Sequence, residues 1–254
     1  MMTTTTIRTK RPRWPWVLIG AVVVVVVLAV VAELVARSLV PGIVRDKVVT
    51  SLGLPAEQPL DVAVGGLVVP QLLGGSLDDL RISGSDVPFG ELAVDADVRM
   101  TGVPIRDGVD GGPGTATLRL DAADLEALLA GADVPPVLAE ATIALDEPDV
   151  RLAKEFPILG ATVPIEVALT PGAADGDLTL KPNGAQVGGV ALSLDQLAAM
   201  VGTEVVAFPV CFADSVPAGL TLTGVVVDGD QLVADVDIAA GLLTDATLQQ
   251  PGTC

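Results

Sequence analysis

The spacing of hydrophobic residues changes character along the chain, and each change predicts a different element. Residues 17–31, VLIGAVVVVVVLAVV, are apolar without interruption. With Trp14 and Trp16 before them and Ala32 after, the run is about 19 residues, close to the ~20 that a helix needs to cross a bilayer core. Valine is a poor helix former in water, but in lipid an unpaired backbone costs far more, so a lone segment crosses as a helix. Residues 34–52, LVARSLVPGIVRDKVVTSL, keep apolar positions at helical spacing through Val40, Ile43, Val44, Val48 and Leu52. Pro41 and Gly42 predict a kink there.

From Leu60 onward the period falls from 3.6 to 2. Leu60, Val62 and Val64 alternate with polar or small residues, and Leu80 and Ile82 bracket Arg81. Over 91–100, Leu92, Val94, Ala96, Val98 and Met100 take one face, and Ala93, Asp95, Asp97 and Arg99 the other. Such a strand has one buried and one wet face. Residues 115–120, 141–145, 150–152, 162–170 and a strand beginning at Leu178 and Leu180 continue the pattern. In 162–170, Val163, Ile165, Val167 and Leu169 share a face, while Pro164 predicts an edge or a bulge. The last hairpin is 220–227 and 231–238 around Asp228-Gly229, with Leu232, Ala234, Val236 and Ile238 on one face. Two short helices interrupt the strands. One is capped by Asp121 and ended by Gly131; the other starts at Ser193, has Gln196 at the reciprocal capping position and ends at Gly202.

Short turns join most strands, so the pairing should be antiparallel. The expected fold class is α+β: a long twisted antiparallel sheet wrapped around the helix at 34–52, preceded by one transmembrane helix. The sheet's inner face and that helix's apolar stripe must both be buried somewhere.

Charge orients the anchor. Arg8, Lys10, Arg11 and Arg13 precede the apolar run, and Glu33 is the first acidic residue. This places 1–13 as a cytoplasmic basic tail, 14–32 as a transmembrane helix or uncleaved signal anchor, and 33–254 as an exported domain in a single-pass arrangement at the cell membrane. A cleaved secretory signal ending near Val30-Val31-Ala32 is the rival reading. The net charge is −18. The first 32 residues carry +4, which leaves −22 on the remainder. That excludes nucleic acid as an expected partner and argues against broad attraction to anionic headgroups. Half the chain is apolar, yet only 2 % is aromatic, so the core must be built from aliphatic side chains.

Cys211 and Cys254 are the only cysteines. In an exported chain the expectation is an intramolecular disulfide; unpaired thiols or a bridge between chains are the alternatives.

Little points to catalysis. The chain has no His, which removes Ser–His–Asp and Cys–His catalysts and histidine-liganded metals. Its glycine pairs lack the spacing of a phosphate loop. The acidic groups Asp78-Asp79, Asp146-Glu147 with Asp149, Asp175 with Asp177, and Asp228 with Asp230 sit mostly at predicted turns, where Asp is favoured for local backbone reasons. None has the EF-hand spacing. No cofactor, metal or catalytic residue is expected.

What remains is a long aliphatic face: Leu92, Val94, Val98, Met100, Val163, Ile165, Val167, Val236 and Ile238. Covered fully, it is an ordinary core; covered loosely, it holds acyl chains. Residues 69–103 (VPQLLGGSLDDLRISGSDVPFGELAVDADVRMTGV), 188–192 (GGVAL) and 216–238 (VPAGLTLTGVVVDGDQLVADVDI) resemble the LmeA-type phospholipid-binding family of actinobacterial envelope proteins. The likeness spans roughly residues 34–245, with the anchor and following helix in the same layout. It implies an exported, membrane-associated domain with phospholipid as partner, folded like tubular lipid-binding proteins, and it transfers no catalytic signature. The alternative is a non-catalytic structural or scaffolding module of the envelope.

Overall fold

The computed structural model describes residues 14–253 apart from 90–91, 107–109, 132–140, 159–160, 194, 197–207, 212 and 214–215. The described residues open with a single 39-residue helix, α1 (Trp14–Leu52). The apolar run and the amphipathic segment behind it are one element. The helix continues through Pro41. Proline there removes one backbone donor without ending the helix.

Among the described residues twelve strands and two more helices follow: β1 (Leu60–Val64), α2 (Val68–Gly74), β2 (Ser76–Phe89), β3 (Leu92–Pro104), β4 (Gly114–Leu120), α3 (Ala122–Gly131), β5 (Thr142–Asp146), β6 (Asp149–Ile158), β7 (Ala161–Ala174), β8 (Asp177–Val187), β9 (Val190–Leu192), β10 (Phe208–Val210), β11 (Leu220–Asp228) and β12 (Gln231–Ile238). All the strand pairs among the described residues are antiparallel. The class is α+β, as the alternation predicts, but the strands divide into two sheets. The first runs β1-β2-β3-β4-β12-β11; the second runs β10-β8-β7-β6-β5, with β9 added beside β8.

The helix is not wrapped. α1 packs on β1 and α2, at one side of the first sheet. Val40 and Val49 are buried there, while Leu34, Leu39 and Ile43 face outward. The first sheet instead covers its inner face with the second. Leu120, Leu222, Val225, Val227, Leu232 and Val236 of the first sheet pack with Ile143 and Val150 of the second in one aliphatic core. No large ring is needed, because β-branched and leucine side chains interdigitate on the pleated faces.

Local signals were realised closely. Asp121 and Asp124 form a reciprocal cap on α3, each side chain accepting the other's backbone N–H, at 2.9 and 3.2 Å. Ser193 and Gln196 make the same exchange at 3.3 and 2.9 Å, and the body of that second helix lies outside the described residues. Pro164, where an edge or a bulge is predicted, lies in β7, which pairs with β6 on one side and β8 on the other. It is tolerated because β8 stops pairing at Val187, and Pro164 only accepts, from the Gly188 N–H at 2.8 Å.

Candidate lipid-binding face

Strand register turns separate alternations into a surface. Across the first sheet, Val62 stands opposite Ile82, Ile82 opposite Val98, Val98 opposite Ala116, Ala116 opposite Val236, and Val236 opposite Leu222. The next row is Val64, Leu80, Met100, Gly114, Ile238 and Leu220. A third is Leu60, Gly84, Ala96, Leu118, Ala234 and Val225. No polar side chain enters these three rows, so one face of the six-stranded sheet is apolar from edge to edge. Gly114 keeps the second row flat: a Cβ there would lie 2.6 Å from the Arg99 carbonyl oxygen.

The second sheet carries a matching row, Ile143, Leu152, Val167, Ala185 and Leu192. Beyond it Ile165 stands between Lys154 and Val187, and Val163 opposite Phe156. The Lys154 ammonium lies 5.8 Å from the centroid of the Phe156 ring, a cation–π distance.

The nine residues singled out from sequence therefore fall on three strands in two sheets. Val94 and Val236 meet in the shared core. Met100 and Ile238 are buried one row away, on either side of Gly114. Val98 is half-buried, as are Val163, Ile165 and Val167 on the flank of the second sheet. Leu92 pairs in register with Phe89 at the far end of β3. The fully buried members are core; the half-buried ones form aliphatic flanks that extend past the region where the two sheets pack. Ile82 and Val62 complete the flank of the first sheet. Their alternation was legible, but their alignment with Val98 and Ala116 depends on register, which spacing within one strand does not state.

Polar features lie elsewhere. A cleft of about 480 Å³ is lined by Asp61, Ser83, Asp95, Asp97 and Arg119 among others. Asp95 accepts from the Asp86 N–H at 2.9 Å, where β2 carries a bulge, and Asp97 pairs with Arg99 at 3.3 Å. A smaller cleft of about 140 Å³ lies beside Arg151, which bridges Asp146 at 2.6 Å and Glu166 at 2.8 Å. The two carboxylates beside that guanidinium raise its pKa further above an already high value, Glu166 by hydrogen bond and Asp146 by charge. The acidic pairs at 146–149, 175–177 and 228–230 sit at the β5–β6, β7–β8 and β11–β12 turns. Among the described residues no group of three acidic or cysteine side chains is arranged to hold a metal ion. Cys254, and with it the expected Cys211–Cys254 pairing, lies outside the described residues.

The chain belongs to the LmeA-like phospholipid-binding family, whose model matches residues 29–237. The match runs from within the apolar part of α1 to the penultimate residue of β12, and so takes in both sheets. The family is described by what it binds and not by a reaction. Neither the curated proteins nor the solved structures provide a match.

Proposed function

We propose that this chain is a membrane-anchored, extracytoplasmic phospholipid-binding protein of the cell envelope, and that it takes part in lipid transfer. Its ligand is held by the acyl chains, along the aliphatic flanks that carry Val98, Val163, Ile165 and Val167. The observation that carries the reading is the run of apolar rows across the first sheet, in a chain of a phospholipid-binding family. Transfer of acyl chains from water gains about 0.8 kcal/mol per methylene. A few half-exposed rows therefore outweigh any headgroup contact on a surface this acidic. The anchor is the apolar part of α1, exposed over residues 19–32 and with an 18-residue stretch of mean hydropathy 3.0. A Cys211–Cys254 bridge would tie the last residue to the body of the exported domain.

Photocrosslinking tests the reading. The full chain is reconstituted with a phospholipid bearing a diazirine near the acyl terminus, irradiated, digested and mapped. Adducts on β3, β7 or β12 support binding inside the domain. Adducts confined to α1 would report only lipid surrounding the anchor, and would leave the scaffold as the better account.

A further inference from the structure

Four of the six large hydrophobic side chains that are exposed outside α1, among the described residues, gather at one end of the first sheet. They are Leu67 (59 % exposed), Leu73 (73 %), Ile105 (41 %) and Leu243 (47 %); Val190 and Val226 are the others. At this end β1 finishes, β2 starts, β3 finishes, β4 starts and β12 finishes. Hydrogen bonds lace the segments together. Ile105 N–H donates to the Gly75 carbonyl at 3.0 Å, Arg106 Nη2 to the Leu72 carbonyl at 3.0 Å, and Gly241 N–H to the Gly111 carbonyl at 2.7 Å. Leu243 lies beside Gly111. The exposed leucines thus stand on a braced platform.

The same end is fastened to α1 at the point where its apolar run stops. The Glu33 carboxylate accepts from the backbone N–H of Val68 at 2.8 Å and of Val69 at 3.0 Å. Arg37, paired with Glu33 at 3.0 Å, donates to the Gly66 carbonyl at 2.7 Å. From Trp14 to Glu33 the helix rises about 28 Å, close to the ~30 Å hydrocarbon thickness. With the apolar run across the bilayer, Glu33 stands at the outer hydrocarbon boundary. Anything within hydrogen-bond reach of it stands there too.

We infer that this end of the first sheet is seated on the outer leaflet, with Leu67, Leu73, Ile105 and Leu243 entering the interface beside the anchor. The inference rests on the anchored topology proposed above. The occupant is lipid because α1 carries these residues to the depth where acyl chains begin. Asp110 and Asp245 are exposed at the same end, so the contact is apolar and suits zwitterionic lipid. Arg37, one helical turn beyond Glu33, stands at phosphate level. The apolar rows of the sheet begin at this platform, with Val64, Leu80, Met100 and Ile238 nearest to it. A lipid leaving the bilayer here has a short path to them.

Tryptophan reporters test the seating. Trp14 and Trp16 are the only tryptophans, so Trp14→Phe with Trp16→Phe gives a dark background. Into it go, one at a time, Leu73→Trp, Leu67→Trp and, at the opposite end of β11, Val226→Trp. Each full-length variant is reconstituted in phosphatidylcholine vesicles with and without brominated acyl chains, after circular dichroism confirms the fold. Seating predicts blue-shifted emission lost to brominated lipid at positions 73 and 67, and unquenched emission at 226. The unaltered chain supplies the second arm, because its own Trp14 and Trp16 report insertion of the anchor. If they are quenched while 73 and 67 are not, the seating is wrong and the anchor stands. If they are not quenched, the anchored topology fails and the seating with it.

Discussion

Ile82 and Val98 face each other across the β2–β3 ladder, and both are half-buried although every neighbour in their row is aliphatic. In a fully closed core such a pair would be shielded on the inner face. Here the second sheet packs over the β4, β12 and β11 side, and α1 lies at the β1 side, so the row between them stays partly open.

A carboxylate at that row should abolish lipid binding. Val98→Asp, and separately Ile165→Asp on the other sheet, are expected to lose acyl-chain adducts in the crosslinking assay. A buried, unpaired charge also destabilises, so Val98→Leu serves as the companion. It should retain both fold and binding. Circular dichroism separates loss of binding from loss of structure, and a folded Val98→Asp that still crosslinks in β3 would contradict the site.

Affinity should follow chain length and ignore salt. Each added methylene contributes about 0.8 kcal/mol, close to a fourfold change in affinity. Competition between phospholipids of increasing chain length, repeated at low and high ionic strength, checks both halves. A strong salt dependence with no chain-length trend would point to headgroup recognition instead.

Asp149 is a buried carboxylate that serves structure. It accepts from Asn183 Nδ2 at 2.8 Å and from the Thr170 hydroxyl, joining β6 to the neighbouring strands. Asp149→Ala removes two hydrogen bonds to a buried carboxylate, and because Asn183 is exposed and Thr170 half-buried their donors can turn to water, so the cost is about 2 kcal/mol. For a domain of this size that lowers Tm by about 4–8 °C. Asp228→Ala, at an exposed turn, should change stability by less than about 0.5 kcal/mol. Thermal melts of the two variants against the unaltered chain decide it.

The two cysteines should be linked to each other. Non-reducing peptide mapping is expected to show the Cys211 and Cys254 peptides joined, and reduction to lower Tm. On the chain-entropy account, closing that loop is worth about 3–4 kcal/mol. Ready alkylation of both thiols in the folded protein would overturn the pairing.

The Asp245 carboxyl is held below the ordinary carboxylate range by hydrogen bonds from Thr247, first its hydroxyl at 2.7 Å and then its backbone N–H at 2.8 Å. A depressed folded pKa stabilises at pH above the unfolded value near 3.8 and is lost as pH falls through the folded one. The 241–247 turn should therefore keep its amide protection at pH 4 and loosen at lower pH, as read by hydrogen exchange. Protection that is already lost at pH 5 would contradict this.

The chain's local patterns determined a good deal by themselves. The apolar run of α1, the reciprocal caps at Asp121 and Ser193, and the alternation in β3, β7 and β12 depend on neighbours within a few residues, so their physics is written in consecutive letters. Helix α2 is the opposite case. Its seven residues include two valines and a proline, and its N-cap Leu67 offers no side-chain cap. The cap comes from Glu33, 35 positions earlier, so no window of sequence contains the reason for the helix. Gln71 is likewise buried, donating to the Gly65 carbonyl at 2.7 Å and accepting from the Asp78 N–H at 3.0 Å. The division into two sheets, and the choice of a sheet and not a helix to cover the inner face, were also tertiary decisions. Alternation states which residues must leave water; it does not state which other apolar surface they will meet, because hydrophobic burial has no direction. Register supplied the rest, by setting Val98 beside Ala116 and Ala116 beside Val236, and so making one surface from strands more than a hundred residues apart.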